Sequence, residues 1–475
     1  MSNSRRASVL CLALTASLIA TLAPLADAAP ARCFGRRATI VGTSGADRLR
    51  GTAGRDVIVA KGGRDDIAAR GGNDLVCAGG GHDHVRLGGG NDRATGGGKG
   101  DEITGGRGSD RIFLEGGSDF GLGGPGNDVI DLGPGFFQLA DGSAGDDTII
   151  GFSPEQGPSM DLVGYAFAPG PVTVDLAAGQ ATGDGTDTLI SIDGVDGSAY
   201  DDTLTGHAGS NFLFGGLGDD VMNDGGNAGS FEAGPSGILR DFNFDAMSGG
   251  DRPDEPLGND TFNGQGDGIH VVFYDEREEG ITADLQEGVA TGQGTDTLNG
   301  INAVAAGPGD DTLLGDGGQN GFDGGAGNDT IDGRGGEDTL ILFDAIDAVV
   351  DLAAGTATGN YLTFTGPRPE DRPFVWTLAG MENVWGSTRG PDTLRGDEGP
   401  NELFGLAGAD QLFGLGGPDL LNGGRGSDTG DGGPAADDCI SIETATNCES
   451  ERRASARVDE SRVARWTSLT TSSAW

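Results

Sequence analysis

A nine-residue repeat runs from Gly42 to Asp131 and constrains the fold of this chain more than any other feature. An aspartate recurs at every ninth position, a glycine stands two residues before each except at Lys99, and an apolar residue usually follows two residues after. The ten aspartates are Asp47, Asp56, Asp65, Asp74, Asp83, Asp92, Asp101, Asp110, Asp119 and Asp128. The unit is G-x-x-G-x-D-x-U-x, where U is apolar, and such a fixed short period indicates stacked structural repeats.

The residue types in this unit predict a turn followed by a short strand. Glycine adopts positive φ without strain, so the first six residues can turn sharply. The last three residues are long enough for a strand whose middle side chain points inward. One unit buries little apolar surface, so stability must come from a ladder of small aliphatic side chains in stacked units. We therefore predict an all-β solenoid.

Stacking also aligns the aspartates in rows on the outside of the turns. Carboxylates in a row repel each other unless a cation lies between them. Calcium suits such a row because it takes six to eight oxygen ligands and combines carboxylates with backbone carbonyls, which glycine-rich turns expose. We predict Ca2+ as the cofactor, with the aspartates and glycine carbonyls as its ligands.

The unit resembles the RTX (haemolysin-type) calcium-binding nonapeptide, most clearly in GGRGSDRIF (105–113) and GGPGNDVID (123–131). The resemblance implies a parallel β-roll in which two nonapeptides form one coil and each calcium lies between turns on the same side. Under that rule Asp47 stacks near Asp65, and Asp56 stacks near Asp74.

The composition suggests that this chain cannot collapse by itself. It contains 93 glycines, only 6% aromatic residues and a formal net charge of −44. Low hydrophobicity with high net charge is typical of disordered chains, so we hypothesise that calcium binding drives folding. The same acidity argues against nucleic acid or anionic membranes as partners. The simpler alternative is that the acidic residues only make the surface soluble.

The N-terminal residues 1–28 are predicted to be a secretory signal peptide. Arg5 and Arg6 precede an apolar run over 9–25, and Ala26-Asp27-Ala28 supplies a small-x-small cleavage pattern. A retained membrane anchor is the weaker alternative, because the apolar run is short and contains Pro24. We expect a secreted, extracellular protein without a membrane span.

Four cysteines remain after Cys11 leaves with the signal peptide. Export permits disulfides, and among three possible connectivities we favour Cys33–Cys77 and Cys439–Cys448. These bonds would cap the two ends of the solenoid, whose terminal coils otherwise fray. Free buried thiols are the alternative.

A longer repeat follows the first block. Residues 174–206 match 283–315, and a looser third copy starts at 350–360 and resumes at 381–396. Each copy leads into a new block with nine-residue spacing. The metal-ligand candidates after the first block are Asp147, Asp202, Asn211, Asp220, Asp311, Asn320, Asp329, Asp338, Asp392, Asn401, Asp410, Asp419 and Asp428. The Asn sites should bind calcium more weakly, because an amide oxygen carries no charge.

These patterns predict seven segments. They are a signal peptide (1–28), an N-terminal RTX roll (29–152), a β connector with a second block (153–223), a loop insertion (224–260), a connector with a third block (261–347), a connector with a C-terminal block (348–448) and a disordered tail (449–475). Asn259-Asp260 in the insertion is either an isolated metal site or a plain turn.

No catalytic motif accompanies the repeats. The sequence lacks H-E-x-x-H, G-x-S-x-G and a P-loop lysine. Adjacent carboxylates such as Asp65-Asp66, Asp201-Asp202 and Asp310-Asp311 could suggest glycosidase acids, but one metal-facing and one solvated Asp is the simpler interpretation. His82 and His84 are expected to be surface residues.

We therefore predict a calcium-binding protein that is not an enzyme. One alternative is a calcium-stabilised adhesin or extracellular matrix component with a cell-surface or polysaccharide partner. A polysaccharide-active enzyme is the less favoured alternative.

Overall fold

The computed structural model describes residues 30–152, 160–226, 244–248, 258–266, 268–274, 279–342, 344–363, 370–448 and 450–452. The predicted signal peptide lies outside these residues, as does the predicted tail apart from 450–452. The described part of the chain contains 48 strands and no helix, and therefore no helix that could cross a membrane.

The N-terminal strands are short and regularly spaced. They are β1 (Arg32–Cys33), β2 (Arg36–Arg37), β3 (Ile40–Val41), β4 (Arg48–Arg50), β5 (Val57–Gly62), β6 (Asp66–Gly71), β7 (Leu75–Gly80), β8 (His84–Gly89), β9 (Arg93–Gly98), β10 (Glu102–Arg107), β11 (Arg111–Gly116), β12 (Phe120–Leu122), β13 (Val129–Asp131), β14 (Phe137–Asp141) and β15 (Thr148–Ile150).

The middle of the chain adds the next nineteen strands. They are β16 (Met160–Gly164), β17 (Thr173–Asp175), β18 (Gln180–Thr182), β19 (Thr186–Ile190), β20 (Gly194–Asp196), β21 (Thr203–Thr205), β22 (Asn211–Phe214), β23 (Val221–Asn223), β24 (Phe244–Ser248), β25 (Thr261–Asn263), β26 (Ile269–Tyr274), β27 (Thr282–Asp284), β28 (Val289–Thr291), β29 (Thr295–Asn299), β30 (Ala303–Ala306), β31 (Thr312–Leu314), β32 (Gly321–Asp323), β33 (Thr330–Asp332) and β34 (Thr339–Ile341).

The last strands close the described chain. They are β35 (Ala345–Asp351), β36 (Thr356–Thr363), β37 (Glu370–Ala379), β38 (Asn383–Trp385), β39 (Thr393–Arg395), β40 (Glu402–Phe404), β41 (Ala407–Gly408), β42 (Gln411–Phe413), β43 (Leu420–Asn422), β44 (Arg425–Gly426), β45 (Thr429–Asp431), β46 (Asp438–Ile440), β47 (Thr444–Thr446) and β48 (Ser450–Arg452).

Two long sheets face each other along the whole described chain. In the N-terminal coils the odd-numbered strands from β3 to β15 form one, called the β5 sheet, and the even-numbered strands from β4 to β14 form the other, called the β6 sheet. Neighbours within these runs are parallel and eighteen residues apart, as when Ile58 lies opposite Val76 and Ile67 opposite Val85. The last pair of each run, β12–β14 and β13–β15, is nineteen residues apart. Two nonapeptides therefore make one coil, and the predicted all-β parallel β-roll is confirmed.

The core lies between the two sheets and is built from the apolar position of each repeat. Ile58, Ile67, Val76 and Val85 are all fully buried. Burying such a side chain contributes about 1.5–3 kcal/mol, so the ladder of inward-pointing aliphatic residues supplies the apolar stabilisation that a single repeat lacks.

Glycine is required where successive turns touch. Gly81 and Gly90 have φ values of +142° and +136°, and a Cβ built there would lie 1.7 and 1.8 Å from the carbonyl oxygens of Gly63 and Gly72 in the coil before. A side chain at either position would force the coils apart.

The longer sequence repeat forms an antiparallel meander inserted in the β5 sheet. In the first copy β15 pairs with β19, which continues through β18 and β17 to β21. The second copy (β27, β28, β29) and the third (β35, β36, β37) do the same. The β6 sheet runs past each meander without an inserted strand, for example directly from β16 to β20.

Part of the predicted loop insertion is a strand. β24 joins the β6 sheet in parallel between β22 and β26. Residues 227–243 and 249–257 lie outside the described chain, and the predicted division into segments stays a prediction.

Both predicted disulfides are present. Cys33 bonds Cys77 with Cα atoms 5.7 Å apart, and Cys439 bonds Cys448 with Cα atoms 5.8 Å apart. The first joins the β1–β2 hairpin to β7, and the second joins β46 to the chain just after β47. Each bond therefore closes one end of the described roll.

Candidate metal centres in two aspartate rows

The repeat aspartates form two rows along opposite edges of the roll. The Asp47 row precedes strands of the β6 sheet and begins with Asp47, Asp65, Asp83, Asp101 and Asp119. The Asp56 row precedes strands of the β5 sheet and begins with Asp56, Asp74, Asp92, Asp110, Asp128 and Asp147. The backbone N–H of each aspartate donates to Oδ1 of the next member of its row at 2.6–2.8 Å.

The second carboxylate oxygen of these aspartates is buried without a hydrogen-bond partner. Within the described chain this holds for Oδ2 of Asp65, Asp74, Asp83, Asp92, Asp101, Asp110, Asp119, Asp128, Asp147, Asp311, Asp338, Asp410, Asp419, Asp428 and Asp437. An ionised carboxylate is costly to bury unless it is paired or coordinates a metal. A row of such oxygens on adjacent coils fits a cation with several oxygen ligands.

Burial raises the pKa of the row carboxyls. The pKa rises to about 7 for Asp101 and Asp128 and to about 8 for Asp147, chiefly because desolvation disfavours the charged form. Neighbouring carboxylates raise each of them further, while the hydrogen bond from the preceding coil's backbone opposes both effects. The ionised rows are therefore unfavourable until a cation compensates them.

The later blocks continue both rows. Asp202 N–H donates to Asp220 at 2.7 Å, and Asp311 N–H donates to Asp329 at 2.8 Å. The C-terminal block repeats the contact from Asp392 to Asp410 at 2.8 Å and from Asp410 to Asp428 at 2.9 Å. Asn320 and Asn401 donate in the same way to Asp338 and Asp419.

Each centre combines few side chains. No group of three or more His, Cys, Asp or Glu side chains suited to a metal occurs among the described residues. Successive row aspartates bring two carboxylates together, so backbone carbonyls of the turns must complete a shell of six to eight oxygens. That mixture of donors fits calcium better than zinc, which prefers Cys and His.

A comparison with protein-family models matches the RTX calcium-binding nonapeptide repeat (4 copies) at residues 41–76, 60–94, 95–130, 139–153, 192–223, 305–340, 387–421 and 404–438. This chain is an RTX calcium-binding nonapeptide repeat protein. The matched segments contain every aspartate and asparagine predicted as a ligand. A search of curated proteins found no match.

Calcium is the ion of these RTX repeats, and the row geometry fits it. When bound, calcium supplies the positive charge that the buried Oδ2 atoms lack. The chain itself fixes the other oxygen of each carboxylate through the hydrogen bond from the adjacent coil. Within the folded roll each aspartate is thus oriented by the backbone of the adjacent coil.

Adjacent acidic residues of the repeats differ in burial, as the predicted pairing of a metal-facing and a solvated Asp requires. Asp65 is buried in its row, whereas Asp66 is more accessible and contacts Arg48 at 2.8 Å and Arg86 at 2.5 Å. Hydrogen bonds from these arginines lower the pKa of Asp66. The pairs at 201–202 and 310–311 likewise have an exposed first and a buried second carboxylate.

The two histidines beside Asp83 lie at the surface side of the roll. His82 is exposed, and its Nδ1 lies 2.9 Å from the Gly100 carbonyl. His84 Nδ1 lies 2.7 Å from Glu102 Oε2. Both histidines therefore contact residues of the next coil.

The side-chain amide of Asn211 contacts the backbone of its turn, and its role as a weak calcium ligand stays a prediction. Its Nδ2 donates to the carbonyls of His207, Gly209 and Asp224 at 2.8, 2.8 and 2.7 Å. Its Oδ1 accepts the His207 N–H at 2.7 Å. The two N–H groups of the amide are thus shared among three backbone carbonyls.

Sequence reasoning missed Asp187 and Asp296, which extend the Asp56 row into the first two meanders. Asp147 N–H donates to Asp187 Oδ1, and Asp260 N–H donates to Asp296 Oδ1, both at 3.0 Å. Both aspartates stand in a Thr-Asp-Thr-Leu segment of the longer repeat. That shared segment is the signal that could have identified them.

Asp437, Glu382 and Glu443 were also missed. Asp419 N–H donates to Asp437 Oδ1 at 2.9 Å. Asp338 N–H donates to Glu382 Oε2 at 2.8 Å, and Asp428 N–H donates to Glu443 Oε2 at 2.6 Å. Asp437 follows Asp428 by nine residues, so spacing alone could have found it. The glutamates break the spacing, and only the three-dimensional register places them in the rows.

Proposed function

We propose that this protein is a secreted calcium-binding protein whose RTX rolls fold on binding calcium outside the cell. The observation that carries the proposal is the row of buried Oδ2 atoms without a hydrogen-bond partner. The folded chain without metal must bury many carboxylates, whereas the calcium-bound chain compensates them. Binding free energy then becomes folding free energy. Its ligands are the row Asp residues and turn carbonyls.

A calcium titration of the metal-stripped mature protein, followed by far-UV circular dichroism, tests this proposal. We expect a cooperative gain of strand signal that magnesium does not reproduce, because magnesium requires a tighter octahedral shell and releases water reluctantly. The same strand signal with and without calcium would refute calcium-driven folding.

Two adjacent aspartates provide a matched pair of variants. Asp65→Asn removes a row carboxylate, whereas Asp66→Asn removes a solvated one beside it. We expect calorimetry to show fewer bound calcium ions for the first variant and an unchanged number for the second. Equal effects would contradict the assignment of the row.

The second candidate function is a calcium-stabilised adhesin or matrix component. It is favoured by one feature of the roll, a groove lined by Arg64, His82 and Lys99 in a chain with a net charge of −44.

A further inference from the structure

Positive charge is concentrated in the first coils of the roll. Residues 29–116 contain 14 Lys and Arg against 11 Asp and Glu, in a chain with a net charge of −44. Eight of those acidic residues are row aspartates, which calcium would neutralise. The fourteen cations are all exposed: Arg32, Arg36, Arg37, Arg48, Arg50, Arg55, Lys61, Arg64, Arg70, Arg86, Arg93, Lys99, Arg107 and Arg111. The outer surface of these coils is therefore basic when the rows are filled.

A groove crosses three successive turns on the edge that carries the Asp47 row. It has a volume of about 620 Å³ and is lined by Gly63, Arg64, Gly80, Gly81, His82, Gly98 and Lys99. We call it the basic groove. No row aspartate lines it, and neither Arg64 nor Lys99 forms an ion pair among the described residues.

The floor of the basic groove is more open than the fold requires. A Cβ added at Gly80 or Gly98 would have no heavy atom within 4 Å, and neither residue has a left-handed φ. Side chains at these two positions would be compatible with the coil. Their absence leaves the backbone of adjacent coils accessible between the cationic side chains.

Lys99 occupies the groove at a conformational cost. It stands where every other repeat of the first block has glycine, and its φ is +82°. A residue with a Cβ is disfavoured there. Lys61, on the same edge, has a φ of +84°.

The opposite edge of the same coils also carries exposed cations, at Arg55, Arg70 and Arg107. In the coils after Arg55, the positions equivalent to Arg64 and His82 are the neutral residues Asn73, Asn91 and Ser109. They bond to one another, because Asn73 Oδ1 accepts the Asn91 N–H at 3.0 Å and Asn91 Oδ1 accepts the Ser109 N–H at 3.2 Å. On the opposite edge these positions therefore bond to one another, whereas in the basic groove they are Arg64 and His82.

We infer that the basic groove binds a linear carboxylated polysaccharide. Stacked coils are about 4.8 Å apart, so the cations form a line suited to a chain with repeated anionic groups. Arginine presents a planar fork of donors that matches a carboxylate. The carbonyls of Gly80 and Gly98 accept the N–H groups of Gly63 and Gly81 and keep a second lone pair for sugar hydroxyls. This inference rests on the adhesin alternative above.

A nucleic acid suits the groove less well. Its lining has no Phe, Tyr or Trp on which bases could stack. A duplex carries about one negative charge per 1.7 Å, far more than Arg64 and Lys99 of the groove lining can match. A polysaccharide with one carboxylate per disaccharide carries a much lower charge density.

The test uses the full mature protein in saturating calcium and a short hyaluronate oligosaccharide, with its carboxyl-reduced form as the ligand control. Lys99→Gly restores the glycine of the repeat and relieves the strained φ. Arg70→Gly is the matched variant, because Arg70 has a φ of +81° and is exposed on the opposite edge. Calorimetry measures oligosaccharide affinity, and circular dichroism separately measures calcium-driven folding.

We expect the oligosaccharide to bind the parent protein and the carboxyl-reduced form not to bind. Lys99→Gly should weaken binding at least fivefold, Lys99→Gly with Arg64→Gln at least twentyfold, and Arg70→Gly less than twofold. Calcium-driven folding should be retained in all variants.

Four outcomes would overturn the inference. The first two are an equal loss of oligosaccharide affinity in Lys99→Gly and Arg70→Gly, and preferential binding of single-stranded DNA. The other two are self-association in place of binding, and no binding by a calcium-folded parent protein. Failure of calcium-driven folding in the parent would instead reject the function proposed above.

Discussion

Tyr165 Oη donates a hydrogen bond of 2.9 Å to Asp187 Oδ2, the oxygen that is left without a partner in most other row aspartates. Tyr274 does the same for Asp296 at 2.8 Å. In both cases the tyrosine lies 22 residues before its aspartate and nine residues before the start of a copy of the longer repeat. The first two meanders thus satisfy their row carboxylate with a hydroxyl group of the protein.

We expect Tyr165→Phe to destabilise the calcium-saturated protein. The substitution keeps the ring and leaves Asp187 Oδ2 buried without its donor, which costs about 1–3 kcal/mol. Urea unfolding should show a lower midpoint with an unchanged slope. Tyr200→Phe is the control, because Tyr200 is 44% exposed. Equal midpoints for both variants would show that the hydroxyl of Tyr165 has no stabilising role.

Asn211→Asp should change the dependence of the middle coils on calcium. The new carboxylate cannot donate to the carbonyls of His207, Gly209 and Asp224, which the present amide nitrogen bonds. We expect destabilisation without calcium by about 1–3 kcal/mol, and one additional bound calcium ion by calorimetry.

Asn73→Asp is the control for Asn211→Asp. It adds the same charge at an exposed turn position, and Asn73 Oδ1 can still accept the Asn91 N–H. An unchanged calcium count in both variants, or a gain in both, would contradict a special role for Asn211.

The regular part of this structure was predictable because the repeat is short and unbroken. The nine-residue spacing from Asp47 to Asp128 fixes both the turn and the inward position of residues such as Ile58, so the roll and the first rows follow from sequence. The family resemblance added the coil of two nonapeptides and hence the stacking of Asp47 on Asp65, which the 2.7 Å contact confirms.

The remainder of the site depends on long-range register. Asp147 meets Asp187 across 40 residues, and Asp338 meets Glu382 across 44. Neither separation is a multiple of nine, because a meander intervenes. The role of Asn211 was not predictable either, since the residue type does not reveal whether its oxygen or its nitrogen faces the turn carbonyls.

Removing the disulfides should destabilise the two ends unequally. Cys33–Cys77 spans 44 residues and Cys439–Cys448 spans nine. The loop-entropy model gives roughly 4 kcal/mol for the first and roughly 2.5 kcal/mol for the second. We expect Cys33→Ser with Cys77→Ser to lower the melting temperature more than the C-terminal double variant. The reverse order would show that unfolding begins at the C-terminal end.

Acid should partly replace calcium in folding this chain. In the metal-free fold the pKa is raised to about 6 for Asp74 and Asp92 and to about 8 for Asp147, chiefly by burial. An unfolded Asp has a pKa of about 3.9, so between roughly pH 4 and 8 the folded chain binds more protons than the unfolded chain. Stability of the metal-free fold must therefore fall as pH rises through that window.

We expect the strand signal of the metal-stripped protein to increase as the pH is lowered from 8.5 to 5. Over the same range the apparent calcium affinity should decrease, because protons compete with the metal for the same carboxylates. Far-UV circular dichroism at each pH, with and without calcium, measures both effects. A strand signal that grows with rising pH in the absence of calcium would contradict the raised pKa values of the row carboxyls. The metal-free fold would then be more stable with ionised than with protonated carboxyls.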